Sequence, residues 1–299
     1  DARISKVNSD GYLERAFSDL LSYYTSASWY GTGTMVKLLF FGGNERTYMA
    51  WDGVSAEDLA SNRRYNPAGQ YIDDEGNIAY YDNQTDNYAQ QHTQLHITHQ
   101  FTSAWDINAA LHYTHGAGYY EQYKCDANLA EYGITPNSSL LTTNSSDLVR
   151  QKHLGNHFYG IVAAANYHSK KVQASFGGGA NNYNGNHWGN VIWVRTPYQN
   201  SQLSTLDSQL SEYYRNRGNK FDANIYAKAN WEITNELNLY GDLQYRHINY
   251  RIAGINDEDL NPINIHKQYH FFNPKAGISY INKSHTGYFN FAVANREPS

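Results

Sequence analysis

Stretches of about ten residues in which every second side chain is apolar recur along the chain, joined alternately by very short and very long connections. The clearest sets Trp105, Ile107, Ala109, Leu111 and Tyr113 against Asp106, Asn108, Ala110, His112 and Thr114. Side chains of a strand alternate between faces with a period of two, so this spacing makes one apolar and one polar face. A soluble β-protein buries the apolar face, whereas an outer-membrane barrel turns it to lipid around a polar lumen. Which face is inside therefore decides most of what such a chain can do.

Strands are expected at about 16–30, 34–43, 88–102, 104–118, 153–168, 171–184, 219–233, 236–251, 269–281 and 286–296, with a partial strand over the first seven or so residues. Two consecutive segments repeat the scheme: Phe221, Ala223, Ile225, Ala227, Ala229 and Trp231 share a face, as do Leu237, Leu239, Gly241, Leu243 and Tyr245. Opposite them stand Asp222, Asn224, Lys228, Asp242, Gln244 and Arg246. Short turns are expected at Gly31-Thr32-Gly33-Thr34, around Ser103, at His168-Ser169-Lys170-Lys171, around Thr234-Asn235-Glu236 and at Asn282-Lys283-Ser284-His285. Long polar stretches, expected as loops, fall at about 44–88, 119–152, 185–219 and 252–268. Tight turns join only antiparallel neighbours, so the sheet is a meander with short turns on one rim and long loops on the other. That asymmetry describes an all-β, antiparallel transmembrane barrel, and loops of this length are uncommon inside compact soluble domains. A soluble sheet would also need a second layer over its apolar face. Neither helical periodicity nor a second set of strands is present to supply one.

Composition agrees. Only 40% of the 299 residues are apolar and mean hydropathy is −0.72. With no run of about 18 apolar residues, transmembrane helices are excluded, but half-polar barrel strands are not. The 28 Tyr, with 6 Trp and 11 Phe, suit the aromatic girdles where a barrel meets both lipid and water. A soluble Tyr-rich β-protein is the competing reading, since aromatics favour any strand. A net charge of −5 leaves no basic footprint for nucleic acid. The lone Cys125 rules out an intramolecular disulfide and a cysteine-based zinc site. No G-x-S-x-G, Walker or Rossmann pattern occurs, and Gly177-Gly178-Gly179 lies mid-strand, where it marks a bend or close packing. No enzyme, cofactor or resident metal is expected.

Eight runs carry a family likeness: Ser5 to Tyr12, Arg15 to Leu20, Phe41 to Trp51, Thr85 to Tyr88, Ala110 to Lys124, Asn156 to Gly160, Phe272 to Gly277 and Ala292 to Pro298. Together they span essentially the whole chain and resemble the barrel of Bacteroidetes TonB-dependent outer-membrane receptors. The resemblance implies TonB-energised uptake of a scarce solute, such as an iron–siderophore complex or cobalamin, across the bacterial outer membrane. It implies as partners outer-membrane lipid, a small-molecule chelate or vitamin, and TonB, reached through a plug domain not in this chain. A surface lipoprotein is a further possible partner, by likeness to glycan importers of the same superfamily. Plugged transporters have about 22 strands, twice the number expected here, so the chain is expected to be an internal part of a larger barrel. The alternative is a passive porin without TonB coupling.

Candidate ligand contacts in the 44–88 stretch are Tyr48, Trp51, Arg63, Arg64, Tyr65, Tyr80 and Tyr81, followed in the next stretch by Tyr119, Tyr120 and Tyr123. Rigid aromatics offer contact area at low entropic cost, and arginines clamp carboxylates or catecholate anions. For any one of them, packing of the loop itself is the commoner role. His92 and His96 lie about 13 Å apart along a strand and cannot share an ion. With His112 and His115 they are expected as hydrogen-bonding groups of the lumen. Arg296 and Glu297 are expected to form a local charge network.

Overall fold

The computed structural model describes residues 1–134, 143–195 and 212–298. The strands in chain order are β1 (Ala2–Ser9), β2 (Ser18–Gly31), β3 (Thr34–Tyr48), the short β4 (Gln70–Ile72) and β5 (Ile78–Tyr80), β6 (Thr85–Gln100), β7 (Trp105–Asn128), β8 (Ser145–His168), β9 (Val172–Val194), β10 (Glu212–Glu232), β11 (Leu237–Ile255), β12 (Pro262–Phe272), β13 (Lys275–Ile281) and β14 (Thr286–Ala292). β4 and β5 form their own hairpin, and the other twelve make one antiparallel sheet in chain order. Along β11, Tyr245 faces Phe272 of β12 and Asp242 faces Lys275 of β13. β12 and β13 are therefore halves of a single wall strand, interrupted at Asn273-Pro274 because proline has no N–H for the ladder. Counted so, the wall has the eleven strands that the alternation predicts. Its ends do not pair with each other among the described residues, so the sheet is an open wall.

Every expected short turn joins two neighbouring strands on the same rim. In the first of them Gly33 adopts φ +67°, a left-handed conformation that glycine takes without steric cost.

Register lines up the apolar positions. Trp29, Val36, Ile97, Ala109, Ala163, Gly178, Ile225, Tyr245 and Phe272 are successive cross-strand partners from β2 to β12. No second layer covers this row among the described residues, and Trp29, Phe176, Ile225, Leu243 and Phe272 are each more than half exposed. A continuous exposed apolar belt of this kind marks a membrane or partner surface. On the opposite face Arg246 pairs with Asp222, Lys275 with Asp242 at 3.3 Å, and Asn166 donates to Asp106 at 2.8 Å. Close packing explains the middle of β9: a Cβ added at Gly177 would lie 2.7 Å from the Tyr226 hydroxyl.

Strand length departs from the sequence expectation. β7 continues to Asn128, β8 begins at Ser145, β9 reaches Val194, β10 begins at Glu212, β11 reaches Ile255 and β12 begins at Pro262. The described residues of the loops expected at about 119–152, 185–219 and 252–268 are therefore largely strand, whereas 44–88 stays mainly loop. Above the apolar belt the apolar side is no longer continuous: Ala127, Leu129, Leu148, Val191 and Val194 bury a local cluster among polar neighbours, so the alternation fades and the stretches pass for loop. Two further expectations are corrected. His115 shares the parity of Tyr113 on the apolar side and stacks on His157 at 4.7 Å, whereas His92, His96 and His112 lie on the polar side. Glu297 pairs with Lys220 of β10, not with Arg296.

Candidate functional site

Two groupings form at the long-loop rim. The first holds down the segment between β3 and β6, where a short helix, α1 (Ala56–Ser61), starts with Ser55 accepting from the Asp58 N–H. Tyr48, 5% exposed, lies with its hydroxyl 3.0 Å from the carbonyls of both Ala68 and Tyr81. Arg15 has a left-handed backbone (φ +61°), places its guanidinium 3.5 Å from the Tyr80 ring centre and donates to the Asn66 carbonyl. Arg64 donates to the Tyr12 carbonyl at 2.8 Å, and the Tyr65 hydroxyl donates to Gln70 at 2.5 Å. Buried Glu121 accepts from the Tyr81 hydroxyl, from Asn83 at 2.6 Å and from Gln151 at 2.6 Å, which satisfies its carboxylate away from water. Tyr123 stacks on Tyr71 at 4.7 Å and meets Tyr81 and Trp193, each at 5.8 Å. Its hydroxyl donates to Asp147 at 2.8 Å and accepts from Arg195 at 3.1 Å. Burial, then the adjacent carboxylate, pushes both Tyr81 and Tyr123 well above the usual phenol range, so both remain hydrogen-bond donors.

The second grouping is a cavity of about 440 Å³ on the polar face just below these loops, lined by Glu45, Asp86, Tyr88, Tyr120, Lys152, Tyr214 and Asp257 among others. Lys152 reaches Asp257 at 2.7 Å and holds that carboxyl below the usual aspartate range. Burial holds Asp86 above it. The same ammonium lies 5.7 Å from the Tyr214 ring. One step nearer the rim on this face, Arg150 donates twice to Gln122 and lies 5.9 Å from the Tyr132 ring. Beside it, burial and then the Arg150 charge lower the basicity of Lys124. Three cations thus stand close together among tyrosines, an arrangement that receives anionic or planar groups through charge, hydrogen bonds and ring faces. Among the described residues no group of three His, Cys, Asp or Glu side chains is placed to hold a metal ion.

The ten sequence candidates divide between these groupings. Tyr120 lines the cavity, and Trp51, 58% exposed, stands edge-on to it at 5.6 Å. Tyr48, Arg64, Tyr65, Tyr80, Tyr81 and Tyr123 hold the loop, and Arg63 points to solvent. The Tyr119 ring packs on His153 at 5.1 Å on the apolar-parity side, with its backbone at the cavity. Lys124, Arg150, Lys152, Tyr214 and Asp257 escape the sequence reading. The alternation Gln122, Lys124 and Arg150, Lys152 signals them only once β7 and β8 are carried past the belt.

An open antiparallel wall with one apolar face, one polar face and its long loops on one rim is part of an outer-membrane-type β-barrel. A family model described as the β-barrel of TonB-dependent receptor-like proteins matches residues 28–299, and the chain belongs to that family. Members of the family are outer-membrane barrels and act in transport. Its fold is similar to the ferric-catecholate import receptor Fiu of E. coli in its open form (TM-score 0.66, 14% identity, 99% of this chain and 50% of that one). It is also similar to the copper transporter OprC (TM-score 0.64, 10% identity, 100% and 42%) and to the siderophore receptor PiuA of Acinetobacter baumannii (TM-score 0.59, 13% identity, 97% and 44%). At these identities the likeness is one of fold, and the chain spans half or less of each receptor. No curated protein matches it in sequence.

Proposed function

We propose that this chain forms part of the wall of a bacterial outer-membrane receptor that imports a scarce solute with energy supplied through TonB, the solute being an iron–siderophore complex, cobalamin or a comparable chelate. The observation that carries this reading is the cavity lined by Tyr120, Lys152 and Tyr214 together with the cations Lys124 and Arg150 that stand beside it toward the rim. In this reading the apolar belt faces lipid and the cavity opens to the lumen. Trp51 and Tyr120 supply flat contact area at the mouth, and the cations draw in an anionic solute. Tyr48, Tyr81 and Tyr123 act indirectly, by fixing the loop whose Trp51 meets Tyr120 at the cavity. The chain's own residues bind and orient; transport force comes from TonB acting on a plug domain.

The test is uptake and binding in cells carrying the full receptor. Lys124→Met with Arg150→Met should weaken solute binding by about tenfold or more without changing surface abundance. Removing TonB should abolish uptake and leave binding intact. Uptake that persists without TonB supports a passive porin instead.

A further inference from the structure

The apolar side of the wall carries a feature that solute import does not use. Tyr113, His115 and His157 form a ladder on β7 and β8: the histidines stack at 4.7 Å, and the Tyr113 hydroxyl lies 2.7 Å from His157 Nδ1. Tyr245, His247 and His270 repeat it on β11 and β12, with the rings at 4.5 Å and the hydroxyl at 2.6 Å. His115 comes ten residues after Trp105, the start of β7, and His247 ten residues after Leu237, the start of β11. Both ladders therefore stand at one height. At about 3.3 Å per residue and a tilt of about 40° that height is roughly 25 Å, the upper edge of an outward apolar band.

Three successive rows of the same parity, the lowest of them the row of the first ladder itself, run from β6 to β12. They contain His115, His157, His153, Arg215, Arg217, Arg251 and His266, and no Asp or Glu among the described residues. In a chain of net charge −5 that is not a consequence of composition. On the opposite face, Glu45 lies in an intervening row and Asp86 in the row just above the three. Arg215 is paired with Glu212, but Arg217 and Arg251 are exposed and not ion-paired among the described residues. His266 stands directly opposite Arg251, and Arg217 is two positions along β10 from the residue opposite Arg251. Arg217 and Arg251 carry like charge on neighbouring strands and repel unless an anion lies between them, and beside them His266 Nε2 lies 2.8 Å from Asn249 Oδ1.

Below this collar lies a groove of about 700 Å³ with a floor of small residues, Ala163, Gly178 and Ala180, between Ile161, Phe176 and Ile225. His247 is at its lip, with a buried Nδ1 that has no partner.

We propose that the apolar side of this wall binds a phosphate-bearing membrane lipid, with an acyl chain in the Ala163–Ala180 groove and the phosphorylated headgroup held by Arg217, Arg251 and His266. This rests on the reading that the apolar belt faces lipid. Small floor residues admit a chain, and charge complementarity selects the anionic headgroup over a zwitterionic one.

The test uses the full receptor extracted in detergent, with phosphatidylglycerol or phosphatidylcholine added and bound lipid counted by native mass spectrometry. The wild type should prefer phosphatidylglycerol, and that preference should fall about fivefold for each arginine removed in Arg217→Gln and Arg251→Gln. The lysine variants at both positions should keep it, which separates charge from folding. Ala180→Leu should lower binding of both lipids and leave their ratio unchanged. An undiminished preference in the double glutamine variant overturns the proposal, as does displacement of lipid by an equal concentration of inorganic phosphate. A wild type that binds neither lipid and fails to enter vesicles overturns the membrane reading as well.

Discussion

Lys152 and Asp257 are 105 residues apart in sequence, and their contact ties the β11–β12 connection to the cavity wall. Side chains that are 17% and 35% exposed put this pair between a surface and a buried bridge, so its net worth is about 1 kcal/mol. Because the Asp257 pKa is depressed in the folded protein, the contribution is complete above the ordinary aspartate value of about 3.9 and fades as pH falls through the lowered value. Protease sensitivity of the 256–261 connection should therefore rise on acidification below about pH 4 in the wild type. Asp257→Asn should be sensitive already at neutral pH and insensitive to that acidification; a variant that matches the wild type throughout would show that the pair holds nothing. Contacts of this range leave no trace in local sequence. Tyr120 is legible as an aromatic beside a loop, but Lys152 and Asp257 become a pair only through the register of β7, β8 and β11.

Hairpins were the most legible elements, and for a local reason. Thr32-Gly33 is bracketed by alternating segments, and its chemistry is confined to a few residues. A Cβ at Gly33 would lie 2.8 Å from the Gln100 carbonyl oxygen, in addition to the cost of its left-handed backbone. Gly33→Ala should therefore destabilise the β2–β3 hairpin by about 1–2 kcal/mol in reversible urea unfolding, and Gly33→Asn by less. Equal stability of all three proteins would mean that this turn is not held in the left-handed form. Strand ends were far less legible. The two-residue period is set by the difference between a continuous apolar side and an aqueous one, and beyond the belt β7 to β9 keep only a local apolar cluster around Leu129, Leu148 and Val191. Arg15 and its cation–π contact with Tyr80 escaped for a related reason, since the connection between β1 and β2 carries no periodic signal at all.

At the scale of the whole molecule, the two faces of one wall divide the work. In the proposed function the apolar belt from Trp29 to Phe272 faces lipid, and the polar face with Arg246–Asp222 and the Lys152 cavity bounds the path for solute. Family membership agrees with that division without naming the solute. The most direct test places single spin labels on adjacent residues of β10, through Ile225→Cys and Asn224→Cys in a Cys125→Ser background, in the full receptor reconstituted in bilayers. The label at 225 should collide with oxygen dissolved in lipid and be shielded from a water-soluble nickel complex, and the label at 224 should show the reverse. Equal access of the nickel complex to both positions would contradict a lipid-facing belt and with it the barrel-wall reading of this chain.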